Sequence, residues 1–233
     1  MSRRRNEEEG EPKKVNKQFL NDGYLIIDKV FSPQEIEEMR NISLNYFHNC
    51  GGFRDNTGRA KPDWVKDQKL SKIREIIESK NVENIIQDLI GEPVSFIGHN
   101  DLHVNRNVNW HKDRLNGAAR EYEIHNPWSE VDGQTMKIYK VNIYLQDHSD
   151  NDDGLIIKEQ SHKFENLDHG SVRFLRPPAG SIVVFDQRIT HRAQWSGGYN
   201  RLLICMGYGV KNCFFHEFEK GTQYRQNKQN ERN

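Results

Sequence analysis

Cysteine is scarce in this chain: Cys50, Cys205 and Cys213 are the three among 233 residues. They supply neither an even disulfide framework nor a paired-cysteine zinc site. A fold stapled by disulfides is excluded, and a reducing, cytoplasmic setting is expected. Long apolar runs are missing as well. No stretch approaches the roughly 20 apolar residues of a bilayer-spanning helix, and Arg3, Arg4 and Arg5 are followed at once by Glu7, Glu8 and Glu9 rather than by an apolar signal core. No membrane partner is expected. Net charge is also absent, with 34 basic residues balancing 34 acidic ones, so no bulk field draws the protein to nucleic acid. The 34% of hydrophobic residues suffices for one core. One domain is expected over residues 17–218. The charge- and amide-rich segments 1–16 and 219–233 read as solvated tails, too poor in apolar residues to order themselves.

The first half of the domain is helical in pattern. Gly23 to Val30 predicts a short strand. Ser32-Pro33-Gln34-Glu35 then supplies an N-cap, a proline at the first helical position and a capping box. That helix should run to about His48, with Ile36, Met39, Ser43 and Phe47 on one side. Leu70 to Ser79 and Val82 to Ile90 predict two more helices, the second ended by Gly91 and Pro93. From Val94 onward the period becomes two. Phe96, Leu102 and Val104 alternate with His99, Asp101, His103 and Asn105, and Tyr139, Val141, Ile143 and Leu145 alternate with Lys140, Asn142, Tyr144 and Gln146. Further short strands are expected at 155–158, 171–176, 181–186, 190–195 and 201–209. The fold class is therefore mainly β with flanking helices, a sandwich or barrel rather than a parallel sheet.

Three His-x-Asp triplets occur, at His99/Asp101, His111/Asp113 and His148/Asp150. Two residues apart on an extended strand, such a pair points to one side. The first also fits a hydrogen-bonded pair on a polar strand face, and the third a solvated turn. What sets His111/Asp113 apart is its sequel: His191 opens a strand after the apolar run 182–185, and Arg201 stands ten residues later. Two imidazoles and one carboxylate suit Fe(II) and leave positions open for oxygen and an organic ligand. A planar guanidinium suits a carboxylate.

Asn109-Trp110-His111-Lys112-Asp113, Asp153-Gly154-Leu155 leading to Gln160-Ser161-His162-Lys163, Pro178 to Asp186, Thr190-His191-Arg192 and Arg201, together with Gly23 to Ile27, resemble the phytanoyl-CoA dioxygenase family of Fe(II)- and 2-oxoglutarate-dependent oxygenases. The resemblance covers roughly residues 18–210. It implies a double-stranded β-helix (jelly-roll, cupin-like) core with iron held in its mouth by His111, Asp113 and His191. Arg201 would bind the distal carboxylate of 2-oxoglutarate, dioxygen would be the oxidant, and a small or medium organic molecule would be hydroxylated. Asn142 and Asp101 are further candidates for the cosubstrate. Two polar stretches are candidate substrate loops: 115–134 with Arg120 and Trp128, and 51–66 with Trp64. The residues alone also fit a cupin-like metalloenzyme that uses no 2-oxo acid, or a ligand-binding barrel without activity.

Overall fold

A computed structural model of the chain describes residues 16–50, 53–55 and 58–230. The charged segment expected at 1–16 lies outside the described residues but for Asn16. Asn16 caps a short helix that the sequence did not announce, α1 (Lys17–Asp22), its side chain accepting from the amide of Phe19. Strand β1 (Tyr24–Ile27) follows, then α2 (Pro33–Cys50). The capping box forms as its residues dictate: Ser32 N–H donates to Glu35 Oε2 at 2.8 Å, and Glu35 N–H to Ser32 Oγ at 3.3 Å. Helices α3 (Ser71–Ser79) and α4 (Val82–Ile90) lie where the apolar period placed them.

Between α2 and α3 the expected polar loop is in part a hairpin of β2 (Phe53–Asp55) and β3 (Gly58–Pro62). Trp64 follows it, and the structure corrects the reading of that residue as a loop anchor for substrate. Its side chain is 1% exposed and belongs to the main apolar core beneath the helices.

The remaining strands are β4 (Ser95–Val104), β5 (Val108–His111), β6 (Ile138–Tyr144), β7 (Leu155–Lys158), β8 (Val172–Leu175), β9 (Ile182–Asp186), β10 (His191–Ala193) and β11 (Leu202–Gly209). They build two antiparallel sheets, one ordered β1-β9-β6-β11-β4-β3-β2 and the other β5-β10-β7-β8. The period-two pattern explains the layers. Tyr139, Val141 and Ile143 on β6, with Leu102, Val104, Ile182, Val184 and Ile204, pack with α2, α3 and α4 on the outside of the large sheet. Their alternates Lys140, Asn142 and Tyr144 turn inward yet are as buried, β6 being covered on both faces. Polar residues alternating with apolar ones usually mark a wet face. Here they line the space between the sheets.

The stretch 219–233 is where the structure departs most from the sequence reading, for α5 runs from Cys213 to Asn230. Phe214, Phe218, Thr222 and Gln226 recur every four residues, and all are buried. Only the first half of that stripe is apolar. The second half packs against polar groups of β4, with Gln226 Nε2 donating to Gly98 O at 3.0 Å, so a search for hydrophobic period misses it. Among the described residues no helix is long and apolar enough to cross a membrane.

Candidate metal centre

His111 ends β5 and His191 begins β10, and the two face each other as register partners. Asp113 lies just past the strand end, held there by its backbone: its N–H donates to Gln187 O at 3.2 Å, and Gln187 Nε2 donates back to Asp113 O. One ligand atom from each of His111, Asp113 and His191 lies within 4.8 Å of the others. Asp113 bridges the pair, its Oδ1 3.6 Å from His111 Nε2 and its Oδ2 3.7 Å from His191 Nε2.

Both imidazoles are oriented from behind. His111 Nδ1 donates to Asn109 O at 2.8 Å, and His191 Nδ1 to Ile189 O at 3.0 Å. This fixes the tautomer in which the Nε2 lone pairs face the carboxylate, as a divalent metal requires. Burial, with His111 alongside, brings the His191 imidazole down to about 4, so it is neutral at pH 7. Burial would raise the Asp113 carboxyl, but Lys140 and the two imidazoles hold it well below the usual range. Burial works against the charged form of His111, but Asp113 beside it raises that imidazole above its ordinary range, so a bound metal would displace a proton there. Two imidazole nitrogens and an anionic oxygen converging on one point fit Fe(II).

Two lysines that the sequence reading did not single out complete the surroundings. Lys112, between the two predicted ligands, reaches back to donate to Ser161 O at 2.8 Å and Arg188 O at 2.7 Å. It fastens the ligand-bearing segment to the turns at 161–163 and 187–190. Lys140, 2% exposed, places Nζ 3.8 Å from Asp113 Oδ2. Its inward position next to Asn142 in the period-two pattern was the available signal.

Arg201 is 1% exposed. Its Nε donates to Asp153 O at 2.5 Å and its Nη2 to Gly154 O at 3.1 Å, while the guanidinium lies 5.7 Å from the centre of the Tyr144 ring. A side chain at Gly154 is impossible, since a Cβ there would fall 2.0 Å from Leu175 O. With one edge of the fork spent on these carbonyls, the opposite Nη1/Nη2 edge keeps N–H donors for a carboxylate. Asn142 Oδ1, Tyr144 Oη and His103 Nε2 are buried with no hydrogen-bond partner, polar atoms of the kind that a polar ligand satisfies.

The other candidates fall elsewhere. Asp101 gives both carboxylate oxygens to Arg225 Nη2 of α5, each at 3.2 Å, and so is engaged by a partner from the stretch read as a tail. Trp128 donates from Nε1 to His162 O at 2.9 Å and stacks beside Lys112 and Arg114; it packs behind the ligand segment. Arg120 is exposed at the surface, 4.0 Å from Glu123. The 115–134 stretch is itself pinned to α5, Glu217 accepting from the amides of Ile124 and His125 at 3.0 and 3.1 Å.

No family model and no curated protein matches the chain in sequence. Solved structures do match in shape. HygX from Streptomyces hygroscopicus, with nickel and 2-oxoglutarate bound, aligns with a TM-score of 0.60 at 18% identity, over 83% of this chain and 85% of that one. EctD from S. alaskensis, with 2-oxoglutarate and 5-hydroxyectoine, aligns at 0.62 and 15% identity, over 84% and 77%. The epimerase SnoN, in complex with Fe3+, alpha ketoglutarate and nogalamycin RO, aligns at 0.64 and 14% identity, over 82% and 80%. The chain thus has the jelly-roll fold of these enzymes, helices outside and two antiparallel sheets within, as the sequence resemblance implied.

Proposed function

We propose that the protein is an Fe(II)- and 2-oxoglutarate-dependent dioxygenase that hydroxylates a small or medium organic substrate, with His111, Asp113 and His191 as iron ligands. The observation that carries this reading is the convergence of three ligand atoms within 4.8 Å, with both imidazoles locked by backbone carbonyls into the metal-binding tautomer. The bound metal would supply activation of dioxygen coupled to decarboxylation of the 2-oxo acid. The chain's own residues bind and orient. Arg201 offers its outer edge to the distal carboxylate, and Asn142 and Tyr144 have unpaired polar atoms to turn toward the same ligand. Phe185, its ring 5.0 Å from that of His191, and Leu203 keep water from the interior. Structures of the same fold were solved with 2-oxoglutarate in HygX and EctD and with alpha ketoglutarate in SnoN, which supports the cosubstrate assignment.

A metalloenzyme without a 2-oxo acid is the second reading, favoured by the two carbonyls that already occupy Arg201. Anaerobic titration with Fe(II) and then 2-oxoglutarate separates the two. The first reading expects a weak visible chelate band and, in air with candidate substrates, succinate release. Iron binding with no band and no succinate would leave the second.

A further inference from the structure

Beside the metal centre, between the large sheet and α5, lies a cavity of about 80 Å³ lined in part by His99, Asp113, Lys140, Phe218, Thr222 and Arg225. Its cations each have an acidic neighbour, but not equally close. Arg225 is answered by Asp101 at 3.2 Å, and Arg114 at the rim by Glu123 and Glu165. Burial, with Lys140 and Arg225 beside it, holds the His99 ring well below its ordinary range and so neutral. The ion-pair partner of Lys140 is Asp113, 3.8 Å away and beyond hydrogen-bond length; its ammonium otherwise lies 6.0 Å from the centre of the Phe218 ring. That carboxylate is the proposed iron ligand. On the reading above, a divalent ion is neutralised by Asp113 and the near carboxylate of 2-oxoglutarate, while Arg201 takes the far one. The Lys140 ammonium then keeps a full positive charge in a buried space, which is unfavourable unless another anion enters. Two further polar atoms at the cavity-lining residues of α5, Thr222 Oγ1 and Arg225 Nε, are buried without a hydrogen-bond partner.

We propose that Lys140, with Thr222 and Arg225 of α5, holds a carboxylate of the substrate in this cavity. The inference rests on the iron and 2-oxoglutarate reading and deepens it: the substrate is a small carboxylic acid. The volume takes a carboxylate and a few carbons, since one water occupies about 30 Å³ of liquid. A nucleotide-sized group does not fit inside it. Because Asp113 lines the same cavity, the oxidised carbon stands only a few bonds from the acid group.

The test begins with iron and 2-oxoglutarate alone, added anaerobically to the wild-type protein; absence of the chelate band would refute the underlying reading itself. Zinc-loaded protein with saturating 2-oxoglutarate is then titrated with short straight-chain and aromatic carboxylic acids and with their primary amides, followed by ligand-observed NMR. At least one acid should bind, its amide tenfold or more weaker. Lys140→Met should lower that acid's affinity tenfold or more while 2-oxoglutarate affinity stays within threefold. Thr222→Val, which keeps the volume, should weaken the acid severalfold and probes the same cavity from the helix if Lys140→Met does not fold. A normal chelate band with no acid bound, acids and amides bound alike, or acid affinity unchanged in the variants would overturn the proposal. Equal loss of 2-oxoglutarate affinity in Lys140→Met would also overturn it, assigning the lysine to the cosubstrate.

Discussion

His191 stands opposite His111 in the antiparallel register of β10 and β5, which brings the two rings to a centroid separation of 4.2 Å. A shift of register follows between His191 and Ala193. A one-residue slip of β10 would turn His191 to the other face, so the candidate centre depends on this pairing as much as on the residue types.

Replacing either imidazole tests the metal assignment. His111→Ala and His191→Ala are each expected to abolish most Fe(II) binding, measured as bound metal per chain after anaerobic loading and desalting. His111 is part-exposed at the end of its strand, so its loss should leave the thermal midpoint within a few degrees. Full iron stoichiometry in both variants would remove them from the ligand set.

Arg201 carries two loads, and its variants should show both. Arg201→Ala is expected to weaken 2-oxoglutarate by about 2 to 4 kcal/mol, roughly thirty- to a thousandfold. It should also lower stability, because Asp153 O and Gly154 O lose their donor. Arg201→Lys should fall between, as one ammonium cannot serve both edges. Anaerobic chelate titration beside urea unfolding separates the effects; unchanged 2-oxoglutarate affinity in a folded Arg201→Ala would remove it as the anchor.

Lys112 should position the ligands without touching the metal. Lys112→Met leaves Ser161 O and Arg188 O without this donor and frees the segment between His111 and Asp113. Metal affinity is expected to fall about tenfold, the scale found when groups that orient ligands are removed. Competition with a chromophoric chelator measures it, and an affinity equal to wild type would show that the strand end holds the ligands unaided.

The pair between Asp101 and Arg225 makes α5 docking depend on pH. Burial pushes the Asp101 carboxyl up, but the Arg225 guanidinium, with Lys140 further off, holds it below its ordinary range. For a depressed carboxyl, the stabilisation is complete above the unfolded value of about 3.9 and is lost as pH falls toward the folded one. Arg225→Met should therefore cost about 2 kcal/mol at pH 7, less than the 3–5 of a fully buried pair because Arg225 is 27% exposed. The gap from wild type should narrow as pH falls below about 4. Urea unfolding across that range checks this, and a pH-independent difference would show that the side chain acts through packing alone.

Local chemistry was legible in the sequence. The capping box of α2, the apolar stripes of α3 and α4 and the period-two strands from Ser95 onward follow from rules acting over a few residues, and they appear where those rules put them. The order of His111, Asp113, His191 and Arg201 could be read along the chain, but strand spacing aims only the two histidines: Asp113 lies past the end of β5 and Arg201 before the start of β11, and backbone hydrogen bonds to Gln187 hold Asp113 in place. What only the tertiary structure decided is which polar face stays dry. Lys140, Asn142 and Asp101 look like wet-face residues until the second sheet and α5 cover them, and Thr222, Arg225 and Gln226 look like a solvated tail until β4 offers them partners. A helix whose buried side is polar carries no hydrophobic period, for its positions are chosen by hydrogen bonds and charges that lie more than a hundred residues away in the chain.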